Sequence, residues 1–178
     1  MKKIGLLSDT HGYLDPRLYD FFAKVDEIWH AGDIGSEDVL DALEKTKPVR
    51  AVFGNTDDSA MRKRIHETER FECEEVDVLL THIGGYPGNY DYRMKQQIME
   101  NPPKLFICGH SHILKIINDK EFNLLHINPG AAGIQGFHNV QTAVRFELNK
   151  GNIKNMEVIE LRIESLSYTK NVKNILSN

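Results

Sequence analysis

Ile4-Gly5-Leu6-Leu7-Ser8-Asp9-Thr10-His11 is a short apolar run that ends in a carboxylate and an imidazole two residues apart. The same event recurs along the chain. Glu27 to His30 leads into Gly32-Asp33, and Val49 to Phe53 into Gly54-Asn55. Val76 to Thr81 leads into His82, and Leu105 to Cys108 into Gly109-His110-Ser111-His112. One strand ending in a metal-ligating side chain is weak evidence, but five such endings are most simply read as the walls of one polar site.

The segments between these endings suggest how the strands are joined. Asp15-Pro16 opens a stretch with Leu18, Phe21, Phe22 and Val25 at helical spacing, and Ser36 is a plausible N-cap for a helix carrying Val39, Leu40 and Leu43. Strand and helix signals therefore alternate over the first half, which predicts parallel strands in a βαβαβ unit. In such sheets the carboxyl ends of the strands carry the site, and Asp9, Asp33 and Asn55 fall there. The second half reads differently. After the Val76 strand come a glycine-rich loop over 84–89, a helix over about 91–100 and the Leu105 strand. Short runs then follow at Leu114 to Ile117, Asn123 to Ile127, Thr142 to Leu148 and Lys154 to Leu161, separated by turn signals, which suggests an antiparallel meander. Two sheets face to face with helices outside reconcile the halves as a single domain over 1–161. From 162 to 178 the sequence is polar and aperiodic, so a loosely held tail is expected.

Bulk properties narrow the functions available. A chain of 178 residues suits one full core. Its net charge of -4 argues against an extended nucleic-acid groove, which usually brings clustered Lys and Arg, but permits a phosphorylated small molecule as substrate. Met1-Lys2-Lys3 runs straight into the first apolar stretch, leaving no room for a signal peptide, and no run reaches membrane-spanning length. A cytoplasmic location is the expectation. Cys73 and Cys108 follow no metal or disulfide spacing and are read as structural.

The ligand types carry the chemistry. If the backbone stays extended through Asp9 and His11, their side chains fall on one side and converge on one ion. Mixed nitrogen and oxygen ligands without thiolate favour a divalent transition metal, Mn foremost with Ni, Fe, Co or Zn as alternatives, over Mg or Ca. Asp9, His11, Asp33, Asn55, His82, His110 and His112 are more ligands than one tetrahedral ion uses. Asp33 could bridge two ions, one set drawn from Asp9, His11 and a later histidine, the other from Asn55 and the remaining histidines. Two metals about 3.5 to 4 Å apart suit in-line displacement at phosphorus.

Ser8-Asp9-Thr10-His11, Gly32-Asp33-Ile34-Gly35, Gly54-Asn55-Thr56-Asp57, Thr81-His82 and Gly109-His110-Ser111-His112 resemble, in order, the five motifs of the calcineurin-like metallophosphoesterases. The short length and Ile127-Asn128-Pro129-Gly130 are similar to the small bacterial and archaeal phosphodiesterases of the YfcE type. The likeness covers roughly residues 1 to 160. It implies a four-layer α/β/β/α sandwich of two mixed sheets and a dinuclear centre, with Asp9, His11, Asp33 and His112 on one ion and Asp33, Asn55, His82 and His110 on the other. It also implies phosphodiester hydrolysis by a metal-bridging hydroxide, with Asn55 and the imidazoles stabilising the developing charge. Phosphomonoesters fit the family as well.

The chain departs from the broader family at Thr56, where many members carry a histidine proposed to protonate the leaving group. General acid catalysis contributes typically about 10² to 10⁴-fold, so its loss favours good leaving groups. His138, in the glycine-flanked stretch 133–139, is the candidate replacement, set against an ordinary exposed loop histidine. Arg93, at the start of the helix after the glycine loop, could grip a phosphate or simply be solvated. Tyr86 and Tyr90 could stack on a nucleotide base or merely cover the loop, and Arg62, Lys63 and Arg64 could attract phosphate or face water. Of the remaining histidines, His30 is read as packed or as orienting a ligand, His66 as exposed and His126 as satisfied in the core. The competing function class is a binding scaffold or nucleotide sensor of the same fold with little catalysis, as in the eukaryotic trafficking subunit Vps29. The intact ligand set argues for activity.

Overall fold

Side chains of β1 (Lys2–Leu7) alternate between two cores. Ile4 and Leu6 point into one, Leu7 into the other, and all three are fully buried. In this computed structural model, which describes residues 1–163, β1 pairs in parallel with β2 (Glu27–His30) and antiparallel with β11 (Val140–Asn149). The sheet continues to β3 (Val49–Ala51) on one side and β12 (Asn152–Arg162) on the other, in the order β12-β11-β1-β2-β3. A second five-stranded sheet has the order β4-β5-β8-β10-β9, built from β4 (Thr68–Cys73), β5 (Val76–Thr81), β8 (Leu105–Ile107), β9 (Leu114–Asp119) and β10 (Leu124–Pro129). Between β5 and β8 lie a small hairpin, β6 (Gly85–Tyr86) and β7 (Asn89–Tyr90), and a helix.

Three apolar clusters define the layers. Ile4, Leu6, Trp29, Val144 and Phe146 of the first sheet meet Val78, Leu80, Leu105 and Ile107 of the second in the central core. The other face of the first sheet packs Leu7, Ile28 and Ala51 against Leu18 and Phe22 of α1 (Arg17–Phe22), Leu40 and Leu43 of α2 (Glu37–Glu44) and Met61 of α3 (Ser59–Arg64). Met94 and Ile98 of α4 (Tyr92–Glu100) cover Leu79 and Phe106 on the outer face of the second sheet. Helix, sheet, sheet, helix is the four-layer sandwich of two mixed sheets expected above. No helix among the described residues is long and apolar enough to cross a membrane.

The structure refines the expected elements in three places. The late strands form no single meander: β9 and β10 make a hairpin in the second sheet, β11 and β12 one in the first. A sequence period of two shows that a strand has an inner face but not which sheet that face joins. Second, β4 and α3 stand where the sequence offers no clear periodic signal. The charged run Thr68-Glu69-Arg70-Phe71-Glu72-Cys73 is an edge strand paired only with β5, and α3 spans six residues and is capped by Asp58, which accepts from the Ala60 and Met61 N–H groups. Third, β12 reaches Arg162, so strand extends one residue into the stretch read as a tail, and positions 164–178 lie outside the described residues.

His126 is fully buried beside Phe106 and Tyr90, but it is not satisfied: neither ring nitrogen has a hydrogen-bond partner among the described residues. Burial pushes its pKa down to about 4. The unfolded chain, with a histidine pKa of about 6.5, binds this proton more readily, so stability is full above about pH 6.5 and is lost as pH falls towards 4. His126→Leu is expected to remove that dependence, gaining about 2 kcal/mol over the wild type at pH 5 relative to the difference at pH 8. Urea unfolding at the two pH values reads this directly, and parallel pH profiles for the two proteins would refute it.

Candidate metal centre

Each motif lies in the loop that follows a strand, and the backbone there turns sharply. Asp9, His11, Asp33, His110 and His112 all have φ between 48° and 68°, the left-handed region that side-chain-bearing residues rarely enter. Asp9 and His11 therefore do not converge through strand alternation, as an extended backbone would have required. They converge because the chain reverses through left-handed residues, ending at Gly12 with φ 81°. Asp and His tolerate this conformation better than branched residues, which suits ligand residues to such loops.

The turn brings together two groups of ligand atoms, Asp9 with His11 and His112, and Asp33 with His82 and His110. Within each group the ligand atoms lie within 4.8 Å of one another. His11 Nε2 is 3.3 Å from His112 Nε2, and His112 Nε2 is 3.2 Å from Asp9 Oδ1. His82 Nε2 lies 3.3 Å from Asp33 Oδ2, and the Asp33 carboxylate is also 3.9 Å from His11 Nε2. Asp33 therefore stands between the groups. Asp9 Oδ1 and His82 Nε2 are buried, yet neither has a hydrogen-bond partner among the described residues. Buried polar atoms are normally paired, so an acceptor oxygen in one group and a bare imidazole nitrogen in the other fit divalent cations. The same donors would be costly to leave against each other without one.

The surroundings fix these side chains. The His82 Nδ1–H donates to Ala31 O at 2.7 Å, which leaves Nε2 as the unprotonated nitrogen facing the site. Burial opposes a charge on His82, but the Asp33 and Asp9 carboxylates outweigh it and raise its pKa. Asp9, followed by burial in opposition, raises His112, whereas burial lowers His11. Burial likewise works against ionised Asp33, but His82 and the Thr56 N–H hold its carboxyl well below the usual aspartate range. Gly54 is required by this approach, because a Cβ there would sit 2.0 Å from Asp33 Oδ1.

Polar residues behind the site fix its loops, and of these the sequence reading named only His30 as a candidate for orienting a ligand. Asp57, buried, accepts from the N–H groups of Gly54, Ile34 and Gly35 at 2.8, 3.2 and 2.8 Å and so ties the Asn55 loop to the Asp33 loop. His30 joins the first two loops: it accepts from the Gly32 N–H and donates to Thr10 Oγ1, which in turn donates to Ile34 O. Full burial lowers His30 to a pKa of about 4, so it acts as a neutral linker, in keeping with an orienting role. Asn128 donates to Gly109 O and Ser111 Oγ and holds the last motif. Asp57 was visible as the last residue of Gly54-Asn55-Thr56-Asp57, but nothing in its spacing separates a loop brace from a solvated acid.

The less specific candidates divide. Asn55 is exposed at the rim, where it shares a cleft of about 120 Å³ with His82, Arg62 and Arg93. Arg93 donates to Glu67 Oε1 at 3.1 Å there. Arg62 and Arg64 are not free to attract phosphate: Arg62 donates to the carbonyls of Gly54, Asn55 and Asp57 and stacks on Phe53, and Arg64 pairs with Asp41 and Glu44. Tyr90 is committed to Asp119 through its hydroxyl, and Lys115 lies 3.6 Å over the Tyr86 ring, so neither tyrosine offers a clear stacking face. His66 is exposed as expected. His138 is half-buried, its ring packed edge-on against His112 at 5.2 Å, unlike an ordinary loop histidine. Both cysteines are free and buried, and burial pushes Cys108 up to about 12.

Comparison with known proteins agrees with this geometry. Residues 1–151 match the calcineurin-like phosphoesterase superfamily domain. The chain belongs to that family. As a calcineurin-like phosphoesterase it is 35% identical over 136 residues to a "Probable metallophosphoesterase" of Methanothermobacter thermautotrophicus, covering 72% of this chain and 76% of that one. Its fold is similar to that of a solved structure described as a novel archaeal phosphodiesterase, with TM-score 0.65, 22% identity, and coverage of 89% of this chain and 99% of that one. It is similar also to Vps29 complexed with zinc from Entamoeba histolytica, with TM-score 0.70, 16% identity, and coverage of 90% and 98%. Membership in this phosphoesterase family implies divalent metal ions, and the two ligand groups fit them.

Asp57→Ala would strand three backbone N–H groups. The expected cost is about 3 kcal/mol of unfolding free energy, since each buried donor left unpaired costs roughly 1–3 kcal/mol and some are rehydrated. Guanidinium unfolding of the variant checks this, and a loss below about 0.5 kcal/mol would mean that Asp57 does not brace the loops.

Proposed function

We propose that this calcineurin-like phosphoesterase hydrolyses phosphodiesters at a dinuclear centre. The observation that carries the reading is the position of the Asp33 carboxylate, 3.3 Å from His82 Nε2 and 3.9 Å from His11 Nε2, between two ligand groups that each contain a carboxylate and two histidines. Asp9, His11, Asp33 and His112 would hold one ion, and Asp33, Asn55, His82 and His110 the other. Such ions supply Lewis acidity toward phosphoryl oxygens and a water of lowered pKa. Manganese suits the nitrogen and oxygen donors, as do nickel, iron, cobalt and zinc.

The residues of the chain have distinct parts in this reading. Asn55 at the rim offers its amide N–H to a phosphoryl oxygen, an interaction that strengthens as charge develops. Arg93 orients a phosphate group by exchanging its contact with Glu67 for the substrate, which leaves it in the binding step and not in the chemistry. Thr56 is exposed and supplies no proton at neutral pH. His138 reaches the neighbourhood of the centre, but its Nε2–H is given to Gly133 O at 2.9 Å, so in this arrangement it secures the loop behind His112 and has no proton directed at a leaving group. Water protonates the leaving group, which favours stable leaving anions.

Chelated protein reloaded with Mn²⁺ is expected to take up about two equivalents per chain and to hydrolyse bis-p-nitrophenyl phosphate. Asp33→Ala should abolish both uptake and turnover, and Asn55→Ala should lower kcat by about 10²-fold. Binding of metal without turnover above the Asp33→Ala background would establish a scaffold or sensor in place of an enzyme. Arg93→Ala is expected to raise KM about tenfold with kcat nearly unchanged. Steady-state kinetics decide between this and a solvated arginine, for which neither parameter moves.

A further inference from the structure

The two flanks of the centre differ in chemistry. On the Asn55 and His82 side lies the cleft of about 120 Å³ that contains Arg62 and Arg93. On the His110 and His112 side a recess of about 520 Å³ opens, walled by Ile113, Phe137 and His138 as well as the two ligand histidines. That volume falls within the range of small-molecule sites. Ile113 is more than half exposed and Phe137 wholly so. A phenyl ring presented entirely to water beside a catalytic centre gains by having its face covered, and four of the residues around this recess are rings.

The backbone holds Phe137 in this place. Gly136, at φ 132°, lies so close to His112 that a Cβ would be 2.6 Å from its Nδ1, and His138 anchors the far side by donating to Gly133 O. The loop is therefore laid flat on the ligand His112 with Phe137 projecting from it. Ile134 on the same loop is also exposed but does not line the recess.

We propose that the recess is a specificity site that seats a flat aromatic or heteroaromatic arm of the substrate, such as a nucleobase, on Phe137 and Ile113, while its phosphate lies at the centre. The inference rests on the phosphoesterase reading of that centre and adds the class of ester group that is selected. Ring faces bind flat π-systems with little dependence on sequence or substituent, whereas an aliphatic tail would draw on every exposed apolar residue of the loop. Tyr86 and Tyr90, which suggested base stacking from sequence, are occupied elsewhere, whereas Phe137 lines the recess with its ring exposed.

Calorimetric titration of the Mn²⁺-loaded chain with adenosine 5'-monophosphate, ribose 5-phosphate and hexyl phosphate tests this without reference to turnover. The adenine-bearing ligand is expected to bind at least about tenfold more tightly than the other two. Phe137→Ala should erase that advantage while leaving ribose 5-phosphate within twofold, Phe137→Trp should keep it, and Ile134→Ala should change nothing. Equal binding of the three ligands, an equal loss for all of them in Phe137→Ala, or an Ile134→Ala effect as large as that of Phe137→Ala would each overturn the proposal. The melting temperature of Phe137→Ala, expected to equal that of the wild type, excludes misfolding as the cause. Hydrolysis of bis-p-nitrophenyl phosphate, measured separately, keeps the two readings apart. Turnover without base-dependent binding removes only the specificity site, and base-dependent binding without turnover removes only the phosphoesterase activity.

Discussion

Left-handed backbone at Asp9, His11, Asp33, His110 and His112 is the constraint on which the centre depends. Each such residue costs energy, of order 1–3 kcal/mol where the conformation is strained, and persists only where the surroundings over-determine it. Here the surroundings are two packed sheets and a set of polar braces. The central core fixes where β1, β2, β5 and β8 end, and Asp57, His30 and Asn128 then bind the loops to one another. The ligands are thus presented by backbone that could not relax without unpairing buried groups. Bracing of this kind lowers the ordering cost that binding a cation would otherwise carry.

Charge is distributed with the same economy. Asp33 is a buried carboxylate held ionised by His82 and the Thr56 N–H, Asp9 accepts from the His110 N–H, and the His82 and His30 rings are kept in tautomers by a carbonyl and a hydroxyl. The histidine that faces Thr10 is neutral and structural, while His82, with its Nδ1–H given to Ala31 O, presents its Nε2 lone pair to the site. Residue type alone would not have separated His30 from His82. The difference lies in which hydrogen bond each ring makes with its second nitrogen.

The gathering of Asp9, Asp33, His82 and His110 was legible in the sequence because a polar site in an α/β fold sits where strands end, and these residues mark such ends. The layers were legible too, since strand and helix signals alternate in the first half and short strands separated by turns fill the second. What the sequence withheld has physical reasons. The charged edge strand β4 and the six-residue α3 are too polar or too short for periodicity to reveal. Asp57 and Arg62 look like surface charges until the loop they brace is folded, and His126 looks satisfied until its neighbours prove to be Phe106 and Tyr90. The likeness to Vps29 in fold, at low identity, is a reminder that architecture does not choose between enzyme and scaffold.

The placement of β1 between β2 and β11 also bears on how the molecule is made. Gly5 pairs with Ile28 on one side and with Arg145 on the other, so the strand that carries Asp9 is completed by one of the last strands to be synthesised. Contacts so distant in sequence close slowly, because chain entropy is lost before they are rewarded. Until β11 is made, β1 lacks one of its two pairing partners, and an apolar strand with an open edge is the kind of surface that invites wrong association.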